Sequence, residues 1–93
     1  MKVIYKITYP NGKIYIGKDS TNSVSYFGSP DSNEVAKDFD PNLTDTMTVT
    51  KTIIERFNVI TEADLIRKEI GWIIKMGSNN PDIGYNRNPK WLG

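Results

Sequence analysis

Val3-Ile4-Tyr5-Lys6-Ile7-Thr8-Tyr9-Pro10-Asn11-Gly12-Lys13-Ile14-Tyr15-Ile16-Gly17-Lys18 consists of two β-forming runs separated by a turn. Val3 to Tyr9 alternates aromatic or β-branched residues with polar ones, and Lys13 to Lys18 does so again; both runs predict strands. Asn11-Gly12 alone would suit a two-residue hairpin loop. Pro10 shifts the preference, because proline presets φ for the first central position of a type I turn, asparagine suits the second, and glycine takes the left-handed position that follows. The two loops give different registers. A two-residue loop pairs Pro10 with Lys13 and puts Tyr5 and Tyr15 on opposite faces. A three-residue loop pairs Tyr9 with Lys13, Ile7 with Tyr15 and Tyr5 with Gly17. The two tyrosines then share a face, and Gly17 leaves space opposite Tyr5. The three-residue loop is the expected one.

Outward from the hairpin, residues 20–30 are polar and turn-rich around Tyr26-Phe27 and read as a loop. Asp31 to Phe39 suits a short helix with Asp31 or Ser32 as N-cap and Pro41 beyond its end. Thr46 to Phe57 is rich in Thr, Val and Ile and predicts a third strand, in which Met47, Val49 and Ile53 alternate imperfectly. Thr61 to Met76 predicts the main helix. Thr61 is a natural N-cap, Asp64 stands in a capping-box position, Glu62 suits the positive helix end, and Gly77 suits the terminus. Its apolar side would carry Leu65, Ile66, Ile70, Trp72, Ile73 and Met76. The tail 78–93, rich in Asn, Pro and Gly, is expected to be partly irregular and held where Ile83, Tyr85 and Trp91 pack back. Residues 1–93 read as one α+β domain.

Composition narrows the function classes. The 93 residues suffice for one modest core, and 38% hydrophobic with 25% charged residues is ordinary for a globular chain. There is no cysteine and no histidine, which excludes disulfides, Cys- or His-ligated zinc, and triads that need an imidazole. No apolar run is long enough to cross a bilayer, and Lys2, Lys6 and Lys13 interrupt any signal-peptide pattern, so no membrane partner and an intracellular location are expected. The net charge is only +1, yet acids cluster in the middle (Asp31, Glu34, Asp38, Asp40, Asp45) while the ends are basic, with Lys2, Lys6, Lys13 and Lys18 and then Arg87 and Lys90. A positive surface can therefore exist without a positive total.

Glu69 is the most informative residue. On the helix it comes four after Leu65, three before Trp72 and seven before Met76, at the edge of the apolar stripe. A carboxylate there needs a partner, because an unpaired buried charge is costly. A divalent metal is one partner; Arg56 or Lys51 on the neighbouring strand is the other. Tyr5 and Tyr15 follow, raised above ordinary amphipathic packing by their shared face and the facing glycine.

Val3-Ile4-Tyr5, then Tyr15-Ile16-Gly17 ten residues after the first tyrosine, resembles the paired signature of the GIY-YIG nuclease superfamily. The strand from Thr46, the helix with Glu69-Ile70-Gly71-Trp72, and Gly84-Tyr85-Asn86 near the end follow in the same order. The resemblance covers the first seventeen residues and most of 48–88. It implies a three-stranded antiparallel sheet flanked by helices, and an endonuclease that hydrolyses phosphodiesters of double-stranded DNA with one Mg2+ or Mn2+. By that likeness Glu69 is the metal ligand, Tyr5 acts as or assists the general base, Tyr15 orients water or phosphate, and Asn86 supports the site from the tail. A cation beside a phenol lowers its pKa, which agrees with such a role.

Two departures stand out. Val3 replaces the first glycine of the motif. The arginine that the family carries on its first helix is missing, since no arginine precedes Arg56. Lys18 or Lys37 could substitute, and Arg56 or Arg67 could reach in. The absence implies weakened activity and supports an alternative, a non-catalytic nucleic-acid-binding module that keeps the fold. A third reading, a small interaction domain, has no positive feature behind it. A homodimer or a separate DNA-recognition partner would supply specificity.

Overall fold

The computed structural model describes residues 1–23, 25–40, 42 and 47–93. Five elements follow one another: β1 (Lys2–Thr8), β2 (Ile14–Asp19), α1 (Ser32–Asp38), β3 (Thr50–Phe57) and α2 (Glu62–Met76). The strands form one antiparallel sheet in the order β2-β1-β3. This is the expected α+β architecture of a three-stranded antiparallel sheet with helices.

The hairpin takes the three-residue loop. The Tyr9 amide donates to the Lys13 carbonyl and the Gly12 amide to the Tyr9 carbonyl, both at 2.9 Å. Gly12 has φ +87°, the left-handed geometry that only glycine adopts without cost. Asn11 Oδ1 accepts from the Lys13 amide at 3.0 Å and tightens the turn. Ile7 therefore faces Tyr15, and Tyr5 faces Gly17.

β3 starts at Thr50, later than Thr46, which lies outside the described residues, as does Pro41. The uneven alternation has a cause. Ile4 faces Glu55 and Tyr5 faces Ile53, so Ile54 is an extra residue, a β-bulge. Ile53 consequently packs with the Tyr5 face and Ile54 with the opposite face.

Each face of the sheet carries a core. One gathers Val3, Tyr5, Ile7, Tyr9 and Tyr85, with Val35 and Phe39 from the α1 segment beside them. The other gathers Ile4, Ile16, Leu65 and Ile73 beneath α2. Full burial of each such side chain is worth about 1.5–3 kcal/mol. Asp31 caps α1, accepting from the Asn33 and Glu34 amides. Thr61 caps α2, its hydroxyl accepting from the Asp64 amide at 3.1 Å, and Gly77 ends that helix at φ +72°.

Two expectations about apolar packing fail. Ile66 and Ile70 are 42% and 38% exposed. Trp72 points toward β3, where its indole donates to Glu55, while Glu69 lies toward Lys18 of β2. Ile66 and Ile70, further round the helix on the Glu69 side, overhang a sheet only three strands wide. In the tail, Tyr85 is buried, but Ile83 and Trp91 stay over 40% exposed. Backbone pairing holds this segment instead: Ile14 donates to the Ile83 carbonyl at 3.1 Å, and Tyr85 donates to the Ile14 carbonyl at 2.9 Å. No helix among the described residues is long and apolar enough to cross a membrane.

Candidate active site at the β2 edge

β2 is an edge strand, so the outward amides and carbonyls of Ile14, Ile16 and Lys18 need partners. Each finds a different one. Ile14 pairs with the tail backbone. Ile16 is held by the Asn86 side chain, whose Oδ1 accepts from the Ile16 amide and whose Nδ2 donates to the Ile16 carbonyl, both at 2.8 Å. The amide of Lys18 points at the Glu69 carboxylate. Asn86 thus acts as one more unit of sheet, and the buried Ser78 hydroxyl donates to its Oδ1 at 2.7 Å.

Glu69 is half-buried. Burial raises its pKa above the ordinary 4.5, and the Lys18 charge and backbone N–H only partly offset this. Glu69 forms no ion pair with Arg56 or Lys51, the partners that the sequence suggested; Lys18 is the cation whose charge it feels. The Lys18 ammonium also lies 3.9 Å from Glu62.

Tyr5 packs on the other face of the sheet. Its ring is fully buried, and a Cβ at Gly17 or Gly28 would collide with its hydroxyl. Gly28 has φ +79°, so the chain there both passes close to the ring and uses the left-handed region. The Tyr5 hydroxyl has no hydrogen-bond partner among the described residues. Such an orphaned group normally costs about 1–3 kcal/mol. Burial, with the neighbouring Tyr15, Tyr26, Asp19 and Glu69, pushes its pKa far above the ordinary value, so the phenol keeps its proton at neutral pH. Tyr15 stands 6.5 Å from Tyr5 by ring centroids, and its hydroxyl accepts from the Ser29 amide at 3.1 Å. Its pKa is also raised, by burial first and then by the Glu69 charge, against the Ser29 bond. The charge of Glu69 is near enough to raise both tyrosine pKa values, Lys18 lies beside Glu69, and Asn86 holds the backbone of Ile16 on the same strand edge.

Lys37 and Arg56 do not join it. Lys37 is exposed on α1 and pairs with Glu34 at 3.0 Å. Arg56 is exposed on β3, opposite Val3 and at the far edge of the sheet from β2. Arg67 pairs with Asp64 on the surface of α2.

Two further charged residues lie at Tyr5: Asp19, not singled out from the sequence, and Lys51, considered there only as a partner for Glu69. Lys51 lies with its ammonium 4.6 Å from the Tyr5 ring centroid and donates to the carbonyls of Ser23 at 2.8 Å and Tyr26 at 2.7 Å. Asp19 is buried and accepts from the Thr21 amide and hydroxyl and from the Ser23 amide. Burial works against its charge, but these bonds and Lys51 more than offset that, and its pKa falls below the ordinary value. Asp19-Ser20-Thr21-Asn22-Ser23 carries the side-chain-to-backbone turn chemistry that would have flagged Asp19. Lys51 needed the register of β3 to be found.

Among the described residues no group of three or more acidic, histidine or cysteine side chains gathers around a point. A cation here would be held by Glu69 alone, with its other positions left to water and phosphate oxygens. Magnesium accepts such a one-carboxylate arrangement, so the Glu69 carboxylate fits the ion. No protein-family model, curated protein or solved structure matches this chain.

Proposed function

We propose that this chain is a nuclease domain of the GIY-YIG type that cuts double-stranded DNA, with Glu69 holding one Mg2+ or Mn2+. The observation that supports the reading is the packing of Tyr5 against Gly17 of β2 and against Tyr15, with the charge of Glu69 near enough to raise both tyrosine pKa values. One tyrosine hydroxyl there is buried without a partner. The bound cation would neutralise phosphate charge and make its water more acidic. The protein's own residues do the rest. Tyr5, protonated at neutral pH, donates to a phosphoryl oxygen or to the attacking water, a better fit to its raised pKa than accepting a proton. Tyr15, whose oxygen already accepts from Ser29, has its proton free to orient the same group. Lys18 adds positive charge beside Glu69. Asn86 fixes β2 so that Gly17 and Lys18 keep their places.

The second reading is a binding module that keeps the fold without cutting. The complete burial of Tyr5 and the placement of Arg56 and Arg67 away from the site favour it. Incubation of supercoiled plasmid with the chain in Mg2+ or Mn2+, with EDTA as control, separates the two. Metal-dependent nicks support the nuclease. Salt-sensitive binding without nicks supports the module.

A further inference from the structure

Lys51 extends from β3 at the position opposite Ile7, on the face that carries Tyr5. Its ammonium sits over the Tyr5 ring and 5.7 Å from the centroid of Phe27. Its two hydrogen bonds go to main-chain carbonyls, those of Ser23 and Tyr26. Asp19 is near enough to feel its charge, yet Asp19 spends its oxygens on Thr21 and Ser23. Lys51 is therefore a partly buried cation held by neutral acceptors beside a tyrosine whose hydroxyl lacks a partner.

The segment that supplies those carbonyls also covers the tyrosine. Tyr26 packs edge-on against Tyr5 at 6.2 Å, and Gly28 crosses its hydroxyl. With Tyr5 fully buried, a phosphate can reach it only if this cover moves. Moving the cover removes both carbonyls from Lys51. An ammonium bonds an anionic phosphate oxygen more strongly than a neutral carbonyl, so the arriving phosphate compensates the loss.

We propose that Lys51 is the phosphate-binding cation of this site, and that its ammonium exchanges the carbonyls of Ser23 and Tyr26 for an oxygen of the nucleic-acid backbone when the cover lifts from Tyr5. The proposal rests on the nucleic-acid reading of the site.

The test is equilibrium binding of the full chain to a short DNA duplex in EDTA, across a salt series, for the native protein, Lys51→Met, Lys51→Arg and Lys37→Met. Methionine keeps an unbranched apolar side chain at this position, and thermal unfolding of each variant checks that the fold is retained. Amide hydrogen exchange at Ser23 and Tyr26 is followed in the free proteins, alongside plasmid nicking in metal. Lys51→Met is expected to bind more weakly, to lower the slope of log affinity against log salt by about 0.9, the value of one phosphate contact, and to speed loop exchange. Lys51→Arg restores the slope, and Lys37→Met leaves it unchanged. An unchanged slope in Lys51→Met overturns the proposal, even where loop exchange rises, because Lys51 is then only a latch. Absence of binding in the native chain also overturns it. Nicking with an unchanged Lys51→Met slope removes Lys51 and leaves the nuclease reading. A lowered slope without any nicking leaves Lys51 as the phosphate contact of a binding module.

Discussion

Tyr5 and Gly17 face each other across β1 and β2, and the end of the Tyr5 ring occupies the space where any other residue at 17 would carry its Cβ. Gly17→Ala must displace that ring, and overpacking of this kind costs about 1–3 kcal/mol. Urea denaturation of Gly17→Ala, Tyr5→Ala and the double variant tests the relationship. The double variant should lose less stability than the sum of the singles, because the collision exists only when both groups are present.

Tyr5→Phe separates stability from function. It deletes a buried hydroxyl with no partner, so the variant should be as stable as the native chain or up to about 1 kcal/mol more stable. Nicking should nonetheless fall by about tenfold or more, within the usual contribution of one proton-donating group. A matching fall in stability and nicking would make the hydroxyl structural.

Asn86→Ala strips the Ile16 amide and carbonyl of their partners and leaves the Ser78 hydroxyl without its acceptor. A loss of about 2–4 kcal/mol is expected from these buried groups together. Thermal unfolding measures it. Because the same amide stops the edge of β2 from shifting, hydrogen exchange at Ile16 should accelerate more than at Ile4 of β1.

The titrations of Glu69 and Tyr85 have definite signs. The folded-state pKa of Glu69 is raised, so folding favours its protonated form, and metal-free stability falls as pH rises above the ordinary 4.5. Glu69→Gln should therefore raise the melting temperature at pH 7 in EDTA, with the gain disappearing in acid. Burial, followed by the bond to Asp38, pushes Tyr85 from 10.0 up to about 12. Its contribution is complete below pH 10 and is lost between there and pH 12. Tyr85→Phe should flatten that alkaline limb.

Much of this was legible in local chemistry. Pro10-Asn11-Gly12 determines the hairpin register because the turn depends on the φ preferences of three adjacent residues, and Thr61 and Gly77 bound α2 for the same reason. What failed depended on distant contacts. The bulge at Ile54 and the later start of β3 come from pairing with β1. The exposure of Ile66 and Ile70 follows from the width of the sheet, which helical periodicity does not encode. Tyr5 and Tyr15 share a face because spacing within the hairpin suffices to aim them, and helical phase turns Glu69 toward Lys18 of β2. Lys37 and Arg56 had only charge to recommend them, and charge without register gave no position. Lys51 was visible as a cation on β3, but its partner depended on a loop whose path the sequence does not specify.

The proposed role of Glu69 is to hold the cation for phosphodiester cleavage. Its most direct measurement is nicking of supercoiled plasmid in Mg2+ or Mn2+ by the native chain, Glu69→Ala and Glu62→Ala. Glu62 is an exposed carboxylate on the same helix. Nicking is expected from the native chain and from Glu62→Ala, with a loss of about 100-fold or more in Glu69→Ala, the scale of removing one electrostatic stabiliser from a reacting site. Nicking that persists in Glu69→Ala, or a native chain that never nicks in either metal, would contradict it.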